Sequence, residues 1–564
     1  MEKVQLNMQS RIVPSESRTK EPYGSQYPPP CKIVDNVIIG DEGPLFKECL
    51  GYGELLFAKL NGNPDLVGQI DPVTEKRTTF AEMRERSVRC ALWLKSRGVE
   101  HGDVVGISTN NHPDCAIPLL GCLFVCAHFY PMHHELNIHD SRYFLSLGKP
   151  KVVFVNIDMV ETMARAAEEE NLTIDFVTFG HVKGFQSFEE IIREQNPAAV
   201  DEFRCTRISS LEETALFSLS SGSTGPSKAT LMSHRALINN MFYDVTYATE
   251  DQKILLWFST LRWITGTLLI LRAVYFCKTR IICDRYDNEL ACKLIEKYNV
   301  EFVWFQPRLM ANILKNGLLE KYRLPSLKRL ALGGAPMKLH LLETLKEALP
   351  HTEILFLYGM SELCGISAGQ RRGDKMGSVG YVVKNTQLKV IDVDTGEKLG
   401  PNKIGELLWK SPYIMTGYYN NPEATKKAVK DGWLHSGDFG YYDEDGEIFI
   451  RDRIMDTIRI NGLMVYPAEI ENVLHKHPAL REVVVVGIPD DIVEEYPFAF
   501  VSKASGAEVT AEELMKLVAD NLESYKHLRG VQFLDKFPYT ETGKIARMQL
   551  KEMAKRFVSD CVPA

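Results

Sequence analysis

The stretch Ser218-Leu-Ser-Ser-Gly-Ser-Thr-Gly-Pro-Ser-Lys228 constrains this chain more than any other. It follows a short apolar run, Thr214-Ala-Leu-Phe217, that reads as a buried strand ending in a loop. Glycine lets backbone N–H groups approach a ligand closely, and serine and threonine hydroxyls and a lysine add donors for anionic oxygens. Such a loop suits a triphosphate. It is not the loop that ends in Gly-Lys-Ser/Thr, because Ser227 precedes Lys228 and Ala229 follows it. Taken alone, the stretch also reads as a polar surface loop.

A chain of 564 residues exceeds one ordinary core, so two or more domains are expected. The net charge of −8 argues against a general nucleic-acid binder. The twelve cysteines include no Cys-x-x-Cys pair, which reads as reduced cytosolic thiols. No apolar core follows Met1-Glu-Lys-Val, so no signal peptide is expected, and residues 1–36, rich in Ser, Pro, Lys and Tyr, read as a flexible leader. The longest apolar run, Ala116 to Ala127, is short of the roughly twenty residues that span a bilayer. It reads as a buried helix whose Cys115, Cys122 and Cys126 pack in a core. The chain ends Cys-Val-Pro-Ala564 rather than Ser-Lys-Leu, so a cytoplasmic location is expected, with peroxisome and mitochondrion left open.

The fold class is α/β. Thr79 or Thr78 caps a helix running to Ser96-Arg-Gly98, Asp103–Ser108 reads as a strand followed by the apolar helix of 113–127, and Lys151–Asn156 as a strand followed by a helix through about Ala167. Further strands are expected at Lys253–Trp257, Arg280–Cys283, Phe302–Phe305 and Leu330–Leu332, an alternation that builds parallel sheets covered by helices. This defines a large N-terminal α/β domain of several subdomains over 37–451. From 452 to 564 the texture becomes that of a smaller α+β domain, of about 110 residues. His133, His134 and His139 read as surface or packing residues, since no carboxylate or cysteine pattern supports a metal.

Three further clusters bear on chemistry. Leu332-Gly-Gly-Ala-Pro336 ends a strand with a turn that lets backbone approach a flat ligand. In Ile354-Leu-Phe-Leu-Tyr-Gly-Met-Ser-Glu362, Tyr358 offers an aromatic face, Ser361 a hydroxyl and Glu362 a hard oxygen ligand for Mg²⁺. In Asp431-Gly-Trp-Leu-His-Ser-Gly-Asp438, the last residue could accept both ribose hydroxyls, and Glu447–Ile450 reads as a strand leading into Arg451-Asp-Arg453. Tyr539-Thr-Glu-Thr-Gly-Lys-Ile545 is a turn presenting Lys544; each of these residues taken singly reads as core packing or solvated charge.

Together these motifs, in this order, resemble the adenylate-forming superfamily, in its branch of acyl-CoA synthetases, coumarate–CoA ligases and firefly luciferase; the resemblance covers about residues 45–555. It implies an AMP-forming acid–thiol ligase using ATP, Mg²⁺ and coenzyme A. Nucleotide contacts would fall to Ser220, Ser221, Gly222, Ser223, Thr224, Gly225 and Lys228 on the phosphates, and to Gly333, Gly334, Ala335, Tyr358 and Gly359 around adenine. Asp438, Ile450 and Arg453 would frame the ribose. Glu362 would ligate Mg²⁺, Ser361 would touch the α-phosphate, and Lys544 would bridge that phosphate and the attacking carboxylate. A rotation of a mobile small domain would then bring Arg459 and Gly462 to coenzyme A.

The acyl pocket implied by the resemblance is lined by Trp263, Thr265, Gly266, Gly365 and Ile366. Its apolar wall favours a fatty or aryl carboxylate over an amino acid. The chain departs from the family's pattern at Thr224-Gly-Pro-Ser-Lys-Ala229, at Met455 in the hinge, and at Asn240 and Leu261–Gly266, where luciferase carries an arginine and a His-His segment. Light emission is therefore not expected. A luciferase-like monooxygenase and a non-catalytic nucleotide- or acyl-binding homologue stand as the alternatives. The expected partners are small molecules only, and the expected state is a monomer or weak dimer.

Overall fold

The computed structural model describes residues 28–43, 45, 50–220, 227–243, 252–335, 339–460, 463–490, 493–539 and 545–561. Two large sheets form its centre. One has eight strands in the order Gly417–Tyr418, Ala229–Ser233, Thr214–Leu219, His128–Met132, Val104–Ser108, Val152–Asn156, Asp175–Phe179 and Gln186–Ser187. The other has nine, with a parallel run through Glu353–Met360, Arg329–Gly333, Phe302–Phe305, Ile254–Trp257, Thr279–Ile281 and Val67–Ile70. Parallel strands buried on both faces need unbroken apolar runs, and Val152–Val155 and Phe302–Phe305 supply them.

The helices Phe80–Ser96 and Ala116–Val125 fill the space beside these sheets. Every residue of the second is buried, which accounts for its apolar sequence without a membrane. Cys115, Cys122 and Cys126 pack in this core as expected. Gly121 allows the close crossing, since a Cβ there would lie 3.2 Å from Cys90 Sγ. Asn111 fastens the two sheets to each other: its buried amide donates to the carbonyls of Phe258 and Cys283, both at 3.1 Å. No described helix is long and apolar enough to cross a membrane.

A third, antiparallel sheet runs Cys31–Val34, Val37–Gly40, Gln387–Ile391, Gly405–Lys410, Trp433–Tyr442, with Ile448–Arg453 on the last of these. The stretch expected as a leader to residue 36 therefore ends earlier, because residues 31–36 form a hairpin on this sheet. The strand expected over Glu447–Ile450 continues through Arg453, so residues 452 and 453 stay with the large domain. The fourth sheet, of five strands, begins at Ile458–Ile460 and contains Leu480–Asp490 against Glu494–Lys503. With the helices Pro467–Leu474 and Ala511–Ala519 it forms the smaller α+β unit around its own core of Ile458, Ile470, Val485 and Leu514.

Candidate active site

The loop at 218–228 is pinched at its neck. Strands Thr214–Leu219 and Ala229–Ser233 pair antiparallel, the Ser220 N–H donates to the Lys228 carbonyl at 2.8 Å, and the Lys228 N–H donates to Ser220 Oγ at 3.2 Å. The Tyr143 hydroxyl holds the Ser227 carbonyl at 2.7 Å. Ser221, Gly222, Ser223, Thr224 and Gly225 lie outside the described residues, as do Gly462 and Lys544.

The exit of this loop meets the strand-to-turn segment at 358–362. The two-residue strand Gly417–Tyr418 pairs with Thr230 and Leu231, which sets the Tyr418 ring 5.3 Å from Lys228 Nζ. The Tyr418 hydroxyl donates to Glu362 Oε1 at 2.8 Å, and Ser218 Oγ donates to Ser361 Oγ at 3.2 Å. Lys228 and Glu362, distant in sequence, thus meet at one phenol. Burial, and then the neighbouring Glu362 carboxylate, push the Tyr418 phenol up, so it stays a neutral donor. Tyr418 escaped the sequence reading; its only signal was its place just ahead of Asn421-Pro-Glu-Ala-Thr425. Removing its hydroxyl in Tyr418→Phe frees the carboxylate it orients, and we expect adenylation to slow about tenfold, read by ATP–pyrophosphate exchange. An unchanged rate would show that Glu362 is positioned without it.

Glu362 fits a Mg²⁺ role on its donor chemistry. Tyr418 occupies Oε1, leaving Oε2 as a hard oxygen in a largely buried position, with Lys228 against the same Tyr418 ring. Mg²⁺ typically takes one or two carboxylates, keeps several waters and completes its shell with substrate phosphates. Among the described residues no group of three or more His, Cys, Asp or Glu side chains forms a chelating cluster of its own.

A second group of candidate residues comes from the nine-stranded and antiparallel sheets. Gly333 closes the strand Arg329–Gly333, where a Cβ would meet Trp304 at 3.0 Å and the Leu357 carbonyl at 3.1 Å. Gly334, at φ +83°, and Ala335 are exposed and form an open ledge. Tyr358 turns one face to Trp409, with centroids 5.2 Å apart and planes 17° apart, and donates its hydroxyl to Asp438 Oδ2 at 2.5 Å. Asp438 sits opposite Arg453 in the strand register, and its Oδ1 accepts from Arg453 Nε at 2.8 Å. Burial and Asp438 raise the Tyr358 phenol well above its ordinary value. Burial opposes the charge of Arg453, but Asp438, Tyr358 and Glu362 outweigh it and hold the guanidinium charged. Glu406 fixes the approach to Asp438, with Oε1 accepting from the Gly437 N–H at 3.2 Å and Oε2 lying 3.0 Å from His435 Nδ1. Ile450 lies on the Arg453 strand, opposite Gly440.

The acyl-pocket candidates come from two elements that pack together, the helix Ile264–Tyr275 and the strand Gly365–Gly369. Trp263 and Thr265 lie at the start of the helix. Gly266 is compelled by a close approach, since a Cβ there would lie 2.0 Å from the Thr260 carbonyl. Gly359 and Ile366 face each other in the hairpin that follows Tyr358. Arg459 is not brought to the cluster around Glu362. Its guanidinium lies 3.4 Å from Asp394 in the turn 392–397, and its N–H donates to Glu495 Oε2 at 2.8 Å.

Between the two units, Asp452 Oδ2 accepts from the Ala468 N–H at 3.1 Å, and burial raises its carboxyl to about 6, opposed by Arg547. A carboxyl raised in the folded state stabilises most below its unfolded value of 3.8, and that contribution is lost as pH rises through about 6. Thermal unfolding should therefore show a stability loss of about 1.4 kcal/mol from this group between pH 5 and 7.5, absent in Asp452→Asn. An identical slope in both proteins would assign the pH dependence elsewhere.

The model for AMP-binding enzymes matches residues 56–419, and that for the AMP-binding enzyme C-terminal domain matches residues 469–544. The chain belongs to the AMP-binding enzyme family. Within this adenylate-forming superfamily it is 31% identical to 4-coumarate–CoA ligase 3 of Oryza sativa subsp. japonica, over 88% of this chain and 90% of that protein. It is 30% identical to luciferin 4-monooxygenase of Nipponoluciola cruciata, over 93% of this chain and 98% of that protein. The fold matches the crystal structure of ATP-bound MatB from Rhodopseudomonas palustris with a TM-score of 0.82, at 23% identity, covering 90% of this chain and all of that one. The large N-terminal and smaller C-terminal units of this AMP-binding enzyme are thus those of the adenylate-forming fold.

Proposed function

We propose that this AMP-binding enzyme is an ATP-dependent acid–thiol ligase that activates a fatty or aryl carboxylate and passes it to coenzyme A. The reading rests on one observation above the rest. The Lys228–Tyr418–Glu362 cluster and the Tyr358–Asp438–Arg453 chain come from three sheets and converge on the same strand end at 358–362. One cluster suits phosphates and the other a nucleoside, which is the pairing ATP requires.

In the first step a carboxylate oxygen bonds to the α-phosphorus as the bond to the β-phosphate oxygen breaks, giving an acyl-adenylate and pyrophosphate. Carboxylate and triphosphate repel each other, so positive charge must meet the charge that develops. Lys228 would hold the outer phosphates, Ser361 the α-phosphate, and Lys544 the pair of reacting groups. Mg²⁺ on Glu362 would supply charge neutralisation on the phosphates. Asp438 and Arg453 would fix the ribose, and Tyr358 with the ledge at Gly333–Ala335 the adenine. In the second step the coenzyme A thiolate attacks the acyl carbon and AMP leaves. The residues after Arg453 would act as a mobile domain that exchanges Lys544 for Arg459 and Gly462 between steps. The named coumarate–CoA ligase relative weighs toward the aryl arm.

The deciding experiment is ATP–pyrophosphate exchange with acetate, hexanoate, dodecanoate, palmitate, coumarate and several amino acids, repeated with coenzyme A. Exchange with fatty or aryl acids, and thioester formed on adding coenzyme A, is the expected result. ATP binding without exchange for any acid would overturn the reading in favour of a non-catalytic binder.

A further inference from the structure

Lys228 is held at both ends of its side chain. At the base, the backbone polar groups around it are all engaged. The Ser227 carbonyl accepts from the Tyr143 hydroxyl at 2.7 Å, the Lys228 N–H donates to Ser220 Oγ at 3.2 Å, and the Lys228 carbonyl accepts from the Ser220 N–H at 2.8 Å. At the tip, Nζ lies 5.3 Å from the centre of the Tyr418 ring, and among the described residues no carboxylate pairs with it. A lysine loses much rotamer freedom when it grips a ligand, so anchoring both ends beforehand lowers the cost of binding an anion.

Of the three contacts at the base, that of Tyr143 alone comes from outside the hairpin. Tyr143 lies on the helix Ile138–Gly148, where Asn137 Oδ1 caps the start by accepting from the Asp140 N–H at 2.9 Å. The helix is seated on the strand His128–Met132, because the buried Tyr130 hydroxyl donates to the Phe144 carbonyl at 3.0 Å. Gly148 admits the same ring, since a Cβ there would lie 2.3 Å from Tyr130 Cε1. That strand is also the parallel neighbour of Thr214–Leu219, which leads into the loop. One strand thus sets both ends of the loop, the entry by sheet pairing and the exit through Tyr130, the helix and Tyr143. Burial pushes the Tyr143 phenol up, so it stays a neutral donor.

We propose that Tyr143 is a positioning residue for Lys228. It fixes the peptide between Ser227 and Lys228 so that the ammonium meets the outer phosphates, and it thereby favours ATP over AMP. This rests on the ligase reading above, in which Lys228 holds those phosphates.

Displacement of a fluorescent ATP analogue by ATP and by AMP tests it. Tyr143→Phe keeps the ring and its packing and removes only the hydroxyl. It should weaken ATP about fivefold, the worth of one such hydrogen bond, and AMP by less than about twofold. A purely structural role would weaken both alike, and retained AMP binding shows that the variant is folded. On a Lys228→Met background the further loss from Tyr143→Phe should fall below about twofold, because the hydroxyl acts through the lysine. Equal losses for ATP and AMP, an unmoved ATP affinity, or the same loss on the Lys228→Met background overturns the assignment of Tyr143. An unchanged ATP affinity in Lys228→Met alone overturns the phosphate role of the lysine and that of Tyr143 with it. No displacement by ATP from the native protein overturns the ligase reading itself.

Discussion

Alanine in place of Lys544 is expected to slow acyl-adenylate formation about a thousandfold while leaving the transfer of a preformed acyl-adenylate to coenzyme A within about threefold of normal. A cation aimed at developing charge in a water-poor site is worth roughly two to three orders of magnitude in rate. The second step has no such charge for Lys544 to meet. On either side of Lys544, Tyr539 and Ile545 form a bridge, and the Tyr539 hydroxyl is anchored on Glu482 Oε1 at 2.8 Å. Measuring the two half-reactions separately decides the matter: equal loss in both would remove Lys544 from the first step.

Asp438→Ala should raise KM for ATP on the order of a hundredfold, with a smaller effect on KM for the acid. Losing charged hydrogen bonds to ribose hydroxyls costs about 1.5–3 kcal/mol each, and each 1.4 kcal/mol is about tenfold. The substitution also strips the partner from the Tyr358 hydroxyl and from Arg453, so the Tyr358 ring loses its tether. Asp438→Asn, which retains an acceptor oxygen, should recover part of the affinity. Fluorescent nucleotide displacement would read the change directly, and equal displacement by ATP in native and alanine proteins would contradict the ribose role.

Both predictions concern residues that the sequence exposes, and the reason is local. Tyr358 and Glu362 mark the end of the apolar strand Glu353–Met360, and Asp438 closes the polar run His435-Ser-Gly within the strand Trp433–Tyr442. The helix Phe80–Ser96 is legible in the same way, its Thr79 side chain accepting from the Glu82 N–H as the capping pattern requires. What stays hidden depends on pairing between distant segments. The strand His128–Met132 contains Pro131 and follows directly on a buried helix, so its five residues carry no alternation to announce them. The pairing of Val37–Ile39 with Gln387–Lys389 joins opposite ends of the sequence. Tyr418 and Trp409 look like ordinary aromatics until the sheets place them against Glu362 and Tyr358.

The turn at 392–397, where the Asp392 N–H donates to the Glu397 carbonyl, stands on the surface between two neighbouring strands of the antiparallel sheet. Everything before it includes Lys228, Tyr358, Ser361 and Glu362; everything after it includes Tyr418, Asp438 and Arg453. A backbone nick there would divide the Lys228–Tyr418, Glu362–Tyr418 and Tyr358–Asp438 partnerships between two fragments. Catalysis would then become a logical conjunction of two polypeptides, and the turn a natural seam for an enzyme switched on by the proximity of whatever its halves are fused to.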